Sequence, residues 1–166
     1  MKEITRPEER QNNYDTLKNQ SPTFDCVTCL KLTPDRKYLV GYWEKKPLEL
    51  VKIWDLSGLR SIHEELLDLD DAPDLTEDPR KLMVLSSDGT MLYLRSDNRK
   101  GVKIISLQDG AQVGEIKNLH TNPILQILVT KDQKTIITCG RDKKVKAYDW
   151  INDKTIATLS SHTAVV

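Results

Sequence analysis

The residues best suited to chemistry in this 166-residue chain are few and scattered. Cys26-Val27-Thr28-Cys29 has the spacing of a metal-ligating or dithiol pair. A zinc site needs four ligands, however, and no second cysteine pair or nearby histidine pair follows. On a strand, residues three apart point to opposite faces, so these thiols would diverge and behave as small buried residues. His63, His120 and His162 are widely separated and form no cluster. His63 is expected to be solvated. No phosphate-cradling GxxxxGK(S/T), dinucleotide GxGxxG or GxSxG nucleophile elbow occurs. No catalytic residue, no metal and no cofactor is therefore expected. Asn19-Gln20-Ser21 satisfies the glycosylation spacing, which is a chance match in an intracellular protein.

Composition points to a folded chain: 38% of the residues are hydrophobic and 30% charged, enough of the former to build a core. No run approaches the roughly 20 apolar residues of a membrane helix, and Met1 to Arg6 lack the apolar segment of a secretory signal. Three cysteines are too few, and too odd a number, for a disulfide framework. A soluble, intracellular, cytoplasmic protein is expected, with no membrane partner. Net charge is zero but unevenly spread: residues 1–78 hold 11 Lys and Arg against 17 Asp and Glu, residues 79–166 hold 14 against 8. Glu64, Glu65, Asp68, Asp70, Asp71, Asp74, Glu77 and Asp78 form a stretch without any Lys or Arg.

Three segments share one pattern of apolar runs and polar turns. The first runs from Cys26 to Leu32, turns at Thr33-Pro34-Asp35-Arg36-Lys37, resumes at Tyr38-Leu39-Val40 and closes with Val51-Lys52-Ile53-Trp54-Asp55. The second runs Lys81 to Leu85, turns at Ser86-Ser87-Asp88-Gly89, continues through Thr90 to Leu94 and closes with Val102-Lys103-Ile104-Ile105-Ser106. The third runs Ile124 to Val129, turns at Thr130 to Lys134, resumes at Thr135-Ile136-Ile137 and closes with Val145-Lys146-Ala147-Tyr148-Asp149. Runs of five to seven residues rich in Val, Ile and Leu between Asp, Gly and Pro turns read as strands. Their near-continuous apolar character calls for sheets covered on both faces, as sheets stacked around an axis would be.

The closings at 51–55 and 145–149, with turns such as Thr33-Pro34-Asp35, resemble the WD-repeat β-propeller family over nearly the whole chain. The resemblance implies an all-β propeller portion of about three four-stranded blades in an open or incomplete ring. It divides the chain into a polar leader at 1–15 and a propeller portion at 16–166. Within the latter lie repeats at about 16–66, 79–118 and 119–160, an acidic insertion at 67–78 and the start of a further repeat at 161–166. Residues 59–66 become an outer strand, although Ser61-Ile62-His63-Glu64 also has the form of a helix capping box. The family's hydrogen-bond tetrad would be His120, Thr138, Asp142 and Tyr148 in the third repeat, with Tyr in place of Trp. The first repeat keeps Trp54 but lacks the histidine and the turn aspartate. The second keeps neither, with Asp97 a poor stand-in.

The same resemblance implies a non-catalytic scaffold or adaptor that presents loops to protein partners or a larger complex. One rim would carry Asp68, Asp70, Asp71 and Asp74 beside Lys45, Lys46, Arg99, Lys100, Arg141, Lys143 and Lys144. Solvated loop charge and a polar docking surface are both open readings of that rim. Alternatives are an enzyme on a propeller scaffold, for which no residue set is evident, and a nucleic-acid-associated subunit using the basic loops. Against nucleic acid stand the zero net charge, an aromatic content of 5% and the neighbouring acidic loop. Three blades cannot close a ring, so the end blades would expose apolar faces, and a fragment or self-association to complete the ring is expected. Light scattering behind size exclusion checks this: aggregate or a small oligomer is expected, and a well-folded monomer would contradict it.

Overall fold

The computed structural model describes residues 27–45, 48–68 and 78–160. These form twelve strands: β1 (Val27–Leu32), β2 (Tyr38–Lys45), β3 (Leu48–Asp55), β4 (Arg60–Asp68), β5 (Met83–Leu85), β6 (Met91–Arg95), β7 (Val102–Ser106), β8 (Gln112–Ile116), β9 (Ile124–Val129), β10 (Thr135–Gly140), β11 (Val145–Asp149) and β12 (Lys154–Leu159). They pair in sequence order into three antiparallel four-stranded sheets, β1–β4, β5–β8 and β9–β12. One four-residue helix, α1 (Pro79–Leu82), precedes β5. The polar leader 1–15, the start of a further repeat at 161–166, Cys26 and residues 69–77 of the acidic insertion lie outside the described residues.

Turn chemistry explains why each strand stops where it does. In the first turn of every sheet a hydroxyl bonds the carboxylate two residues on: Thr33 Oγ1 to Asp35 (2.6 Å), Ser86 Oγ to Asp88 (2.7 Å) and Thr130 Oγ1 to Asp132 (2.6 Å). The next residue in each, Arg36, Gly89 or Gln133, takes positive φ of 60°, 73° and 60° and closes the reversal. Asp55, Asp109 and Asp149 do the equivalent work after the third strands, each accepting from a backbone amide two residues later. Residues 60–68 are a strand, paired along β3 from Asp55–Arg60 to Leu48–Asp68. Lys81 and Leu82, by contrast, do not begin a strand. Asp78 accepts from the Arg80 amide at 3.0 Å and Pro79 presets φ, so the chain makes one helical turn before β5.

The middle sheet is covered on both faces. Leu92, Leu94 and Ile105 pack with Tyr38, Val40, Tyr42, Val51 and Ile53 of the first sheet. On the opposite face Tyr93, Val102 and Ile104 pack with Ile124, Ile127 and Ile136 of the third. This two-sided burial is why β6 and β7 read as unbroken apolar runs. The outer sheets show one covered face each. Val27, Leu30 and Leu32 are exposed on the first, and Leu128, Ile156 and Leu159 on the third. The first strands converge: α1 touches both β1 and β9, and β5 touches β9.

Ionic bonds join the first two sheets as well. Arg95 and Glu49 pair at 3.2 Å with both side chains almost fully buried. Lys103 donates to Glu65 of β4 and to Asp97 at 2.9 Å. Burial pushes the Glu65 carboxyl up, but the bonds from His63 and Lys103 outweigh it and hold that group below its ordinary range. His63 is half-buried beside Glu65 rather than solvated, because Gly110 folds back onto it: a Cβ at Gly110 would lie 2.8 Å from the His63 Cβ. Packing between sheets should dominate stability. Leu94→Ala is expected to cost about 3 kcal/mol through lost transfer energy and a cavity, whereas Leu30→Ala, on an open face, should cost under about 0.5 kcal/mol. Urea unfolding of the two variants measures the contrast.

Candidate partner-docking rim

In an antiparallel four-stranded sheet, the turn between the second and third strands shares an edge with the entry to the first and the exit from the fourth. One rim therefore holds the β6–β7 loop (96–101), the β10–β11 loop (141–144) and the β8–β9 connection (117–123). The Thr-x-Asp turns occupy the opposite rim. Arg99, Lys100, Arg141, Lys143 and Lys144 all fall on the first rim. Lys45 and Asp68 end β2 and β4 there, with side chains outside the described set, while Lys46, Asp70, Asp71 and Asp74 lie outside the described residues.

A buried polar chain organises this edge. His120 Nδ1 lies 2.9 and 3.0 Å from the two Asp142 oxygens, and Nε2 lies 2.8 Å from Thr138 Oγ1. Both histidine and aspartate side chains are almost fully buried. A neutral imidazole with its proton on Nδ1 satisfies both ends, donating to the carboxylate and accepting from the threonine hydroxyl. Burial pushes the His120 pKa down against the pull of Asp142. Burial alone would raise the Asp142 carboxyl, but the His120 bond and the Thr121 amide hold it low. Asp142 also accepts from the Thr121 and Lys144 amides, each at 3.2 Å. The network thus fixes both ends of the β10–β11 loop.

Tyr148 is not joined to this chain. Thr138 sits opposite Lys146 in the β10–β11 ladder and Tyr148 two pairs away, opposite Ile136. The phenol instead donates to Asp153 in the following turn, a bond that pushes its pKa up to about 12. Lys146 reaches the Leu119 carbonyl at 2.5 Å. Asp97 belongs to the Lys103 cluster and takes no part in any histidine chain. Gly140 is a residue that the spacing arguments pass over. A Cβ there would lie 2.7 Å from His120 Nδ1 and 3.1 Å from Asp142 Oδ1, so only glycine leaves room for the bond. A glycine ending a strand was the available signal of such a close approach.

Backbone bonds tie the middle and third sheets together along the rim. The His120 amide donates to the Lys100 carbonyl (2.9 Å), and Asn98 Nδ2 donates to Asn118 Oδ1 (3.1 Å). The Ile124 amide donates to the Arg99 carbonyl at 2.7 Å, and the Arg141 amide donates to the Pro123 carbonyl at 2.9 Å. A single peptide unit, Pro123–Ile124, is thereby held between two arginines. The Nε atoms of Arg99 and Arg141 are buried and have no hydrogen-bond partner among the described residues. The loop carboxylates are already committed, Asp142 to His120 and Asp97 to Lys103. Among the described residues no group of three His, Cys, Asp or Glu could hold a metal ion. Nor is any helix among them long and apolar enough to cross a membrane.

Sheets of four antiparallel strands, packed face to face with their first strands converging, are blades of a β-propeller. Residues 113–149, from β8 through β11, match the family model described as WD domain, G-beta repeat. The match places one WD repeat at residues 113–149, and the three sheets have the fold of a three-blade propeller portion. A solved structure of U3-55K resembles it with a TM-score of 0.62 at 20% identity, covering 84% of this chain and 41% of that one. A crystal structure of the RRP9 WD40 repeats gives 0.60 at 20% identity, covering 84% and 40%. The chain thus spans about two fifths of the length of each. Matching solved chains number 1004, a breadth that ties the fold to no single activity. No curated protein sequence matches.

The polar chain makes stability pH-dependent. His120 has a folded pKa below its ordinary 6.5, so its contribution is full above that value and is lost as pH falls toward the lower folded value. Asp142, held below 3.8, adds a further loss in stronger acid. Urea midpoints from pH 8 to pH 4 should fall below about pH 6.5. His120→Asn should lower stability at pH 8 and flatten the decline between about pH 6.5 and 5. Gly140→Ala should destabilise at every pH.

Proposed function

We propose that this chain is a non-catalytic interaction scaffold whose rim at the β6–β7 and β10–β11 loops docks protein partners within a larger complex. The observation that supports this reading most is the set of bonds joining residues 98–100 to 118–124 and 141 to 123. They make two loops from separate blades into one fixed surface. A prearranged surface binds at lower entropic cost than loops that must order on contact. Its outward charges would act mainly on recognition and on-rate. WD-repeat domains generally bind protein partners, and residues 113–149 match that family's model.

Affinity capture compares the full chain with a rim variant, Arg99→Glu/Arg141→Glu, and an opposite-rim control, Arg36→Gln/Lys131→Gln. Partner proteins retained at low salt should disappear with the first pair of changes and in high salt, and persist with the control. An identical captured set for both variants would remove the rim from the account. Turnover in a hydrolase screen without any partner would replace the scaffold with an enzyme.

A further inference from the structure

We infer that Arg99 and Arg141 form a paired guanidinium clamp that binds a short acidic peptide segment, an inference that rests on the docking role of this rim and specifies its ligand. The geometry begins with the Pro123–Ile124 peptide unit. Its N–H bonds the Arg99 carbonyl and its C=O the Arg141 amide, which places the Arg99 carbonyl oxygen and the Arg141 nitrogen no more than about 8 Å apart. The two side chains therefore leave neighbouring points on one rim, from loops whose backbones are locked. Arg99 is further set by its positive φ of 60°.

The chemistry of the two groups is unfinished. A guanidinium carries five N–H donors in a planar fork and stays charged, so a buried donor without an acceptor is costly. Both Nε atoms are in that state, shielded by the protein, while each residue stays partly exposed, so a ligand would meet the terminal guanidinium nitrogens; the nearby carboxylates are spent on His120, Thr121 and Lys103. A carboxylate answers the fork with two parallel bonds, which makes a side-chain Asp or Glu the natural complement. Two forks rising from backbone points about 8 Å apart or less suit two carboxylates a residue or two apart on an extended segment. Lys100 and Lys144, on the same loops, add long-range attraction.

A nucleic acid is the less suitable ligand. A nucleic acid carries one charge per nucleotide over long distances, and the chain balances its basic residues with an equal number of acidic ones, so it offers no extended basic track. Base stacking would also need aromatic groups, and neither rim loop contains one.

The test uses fluorescence anisotropy on the full chain with three probes: a short labelled peptide of Glu, Asp and Ser, its Gln, Asn and Ser counterpart, and a single-stranded DNA oligonucleotide of matched charge. The acidic peptide should bind in a salt-sensitive manner and the amide counterpart should not. Arg99→Gln/Arg141→Gln should weaken binding at least tenfold, and Arg99→Lys/Arg141→Lys severalfold, because lysine keeps the charge and loses the fork. Thermal unfolding should not fall in either, since the bonds that hold the loops are made by the backbone. Equal peptide affinity in the wild type and the glutamine variant would overturn the clamp. Oligonucleotide binding that matches or exceeds the peptide's and is lost in the same variant would also overturn it. Absence of peptide binding with rim-dependent partner capture intact would sink the clamp alone; loss of rim-dependent capture as well would sink the docking role with it.

Discussion

The bond between His120 and Asp142 is the constraint on which the functional edge of this protein depends. It is a buried, charge-assisted contact, and both oxygens of the carboxylate accept from the imidazole and from the Thr121 and Lys144 amides. Such a group is tolerated only when fully satisfied, since an orphaned carboxylate in that setting would cost several kcal/mol. The requirement is strict in space too, because Gly140 leaves the pair no spare volume. Through Thr121, Lys144 and the Lys100 carbonyl, one imidazole sets the positions of loops from two blades. The middle blade, which has no histidine chain of its own, borrows its order from its neighbour.

Much of the architecture was legible in the sequence because its signals are local. Runs such as Ile124–Val129 and turns such as Thr130-x-Asp132 are decided within a few residues, and both recur at matching intervals. The repetition separated a stack of covered sheets from a half-exposed meander. The helix at Pro79–Leu82 was hidden because Lys81-Leu82 continue smoothly into Met83-Val84-Leu85, although Asp78-Pro79 is a helix-start signal in itself. His63 was misread for a related reason. Its burial comes from Gly110, a residue of the next blade, and no spacing in the sequence connects the two.

The rim divides along the same line. Histidine, threonine and aspartate could be aligned from the third repeat because side-chain identity carries their roles. Tyr148 aligns with the tetrad by spacing alone, but its ladder position is two pairs from Thr138 and its hydroxyl donates to Asp153 instead. The arginine pair was legible as charge and not as geometry. Its defining contacts are made by main-chain atoms, and any residue but proline could supply them. The Val-Lys steps at 51, 102 and 145 marked the repeat, yet their lysines do different work. Lys52 meets Glu64 within its own blade, whereas Lys103 reaches Glu65 in the blade before it and Lys146 the Leu119 carbonyl in the connection before it.

β12 is exposed at every one of its six positions, while β6, well inside the stack, is buried at four of its five. That contrast is a gradient in the cost of opening. Strands near the convergence must break apolar contacts with two neighbours before their amides meet water, whereas among the described residues β12 has only its ladder with β11 to lose. Fluctuations would therefore start at the outer edge and travel inward, with β12 peeling away while the arginine-bearing loops stay seated. The periphery can fray, exchange its amide protons and accept changes of sequence without disturbing the surface that meets a partner.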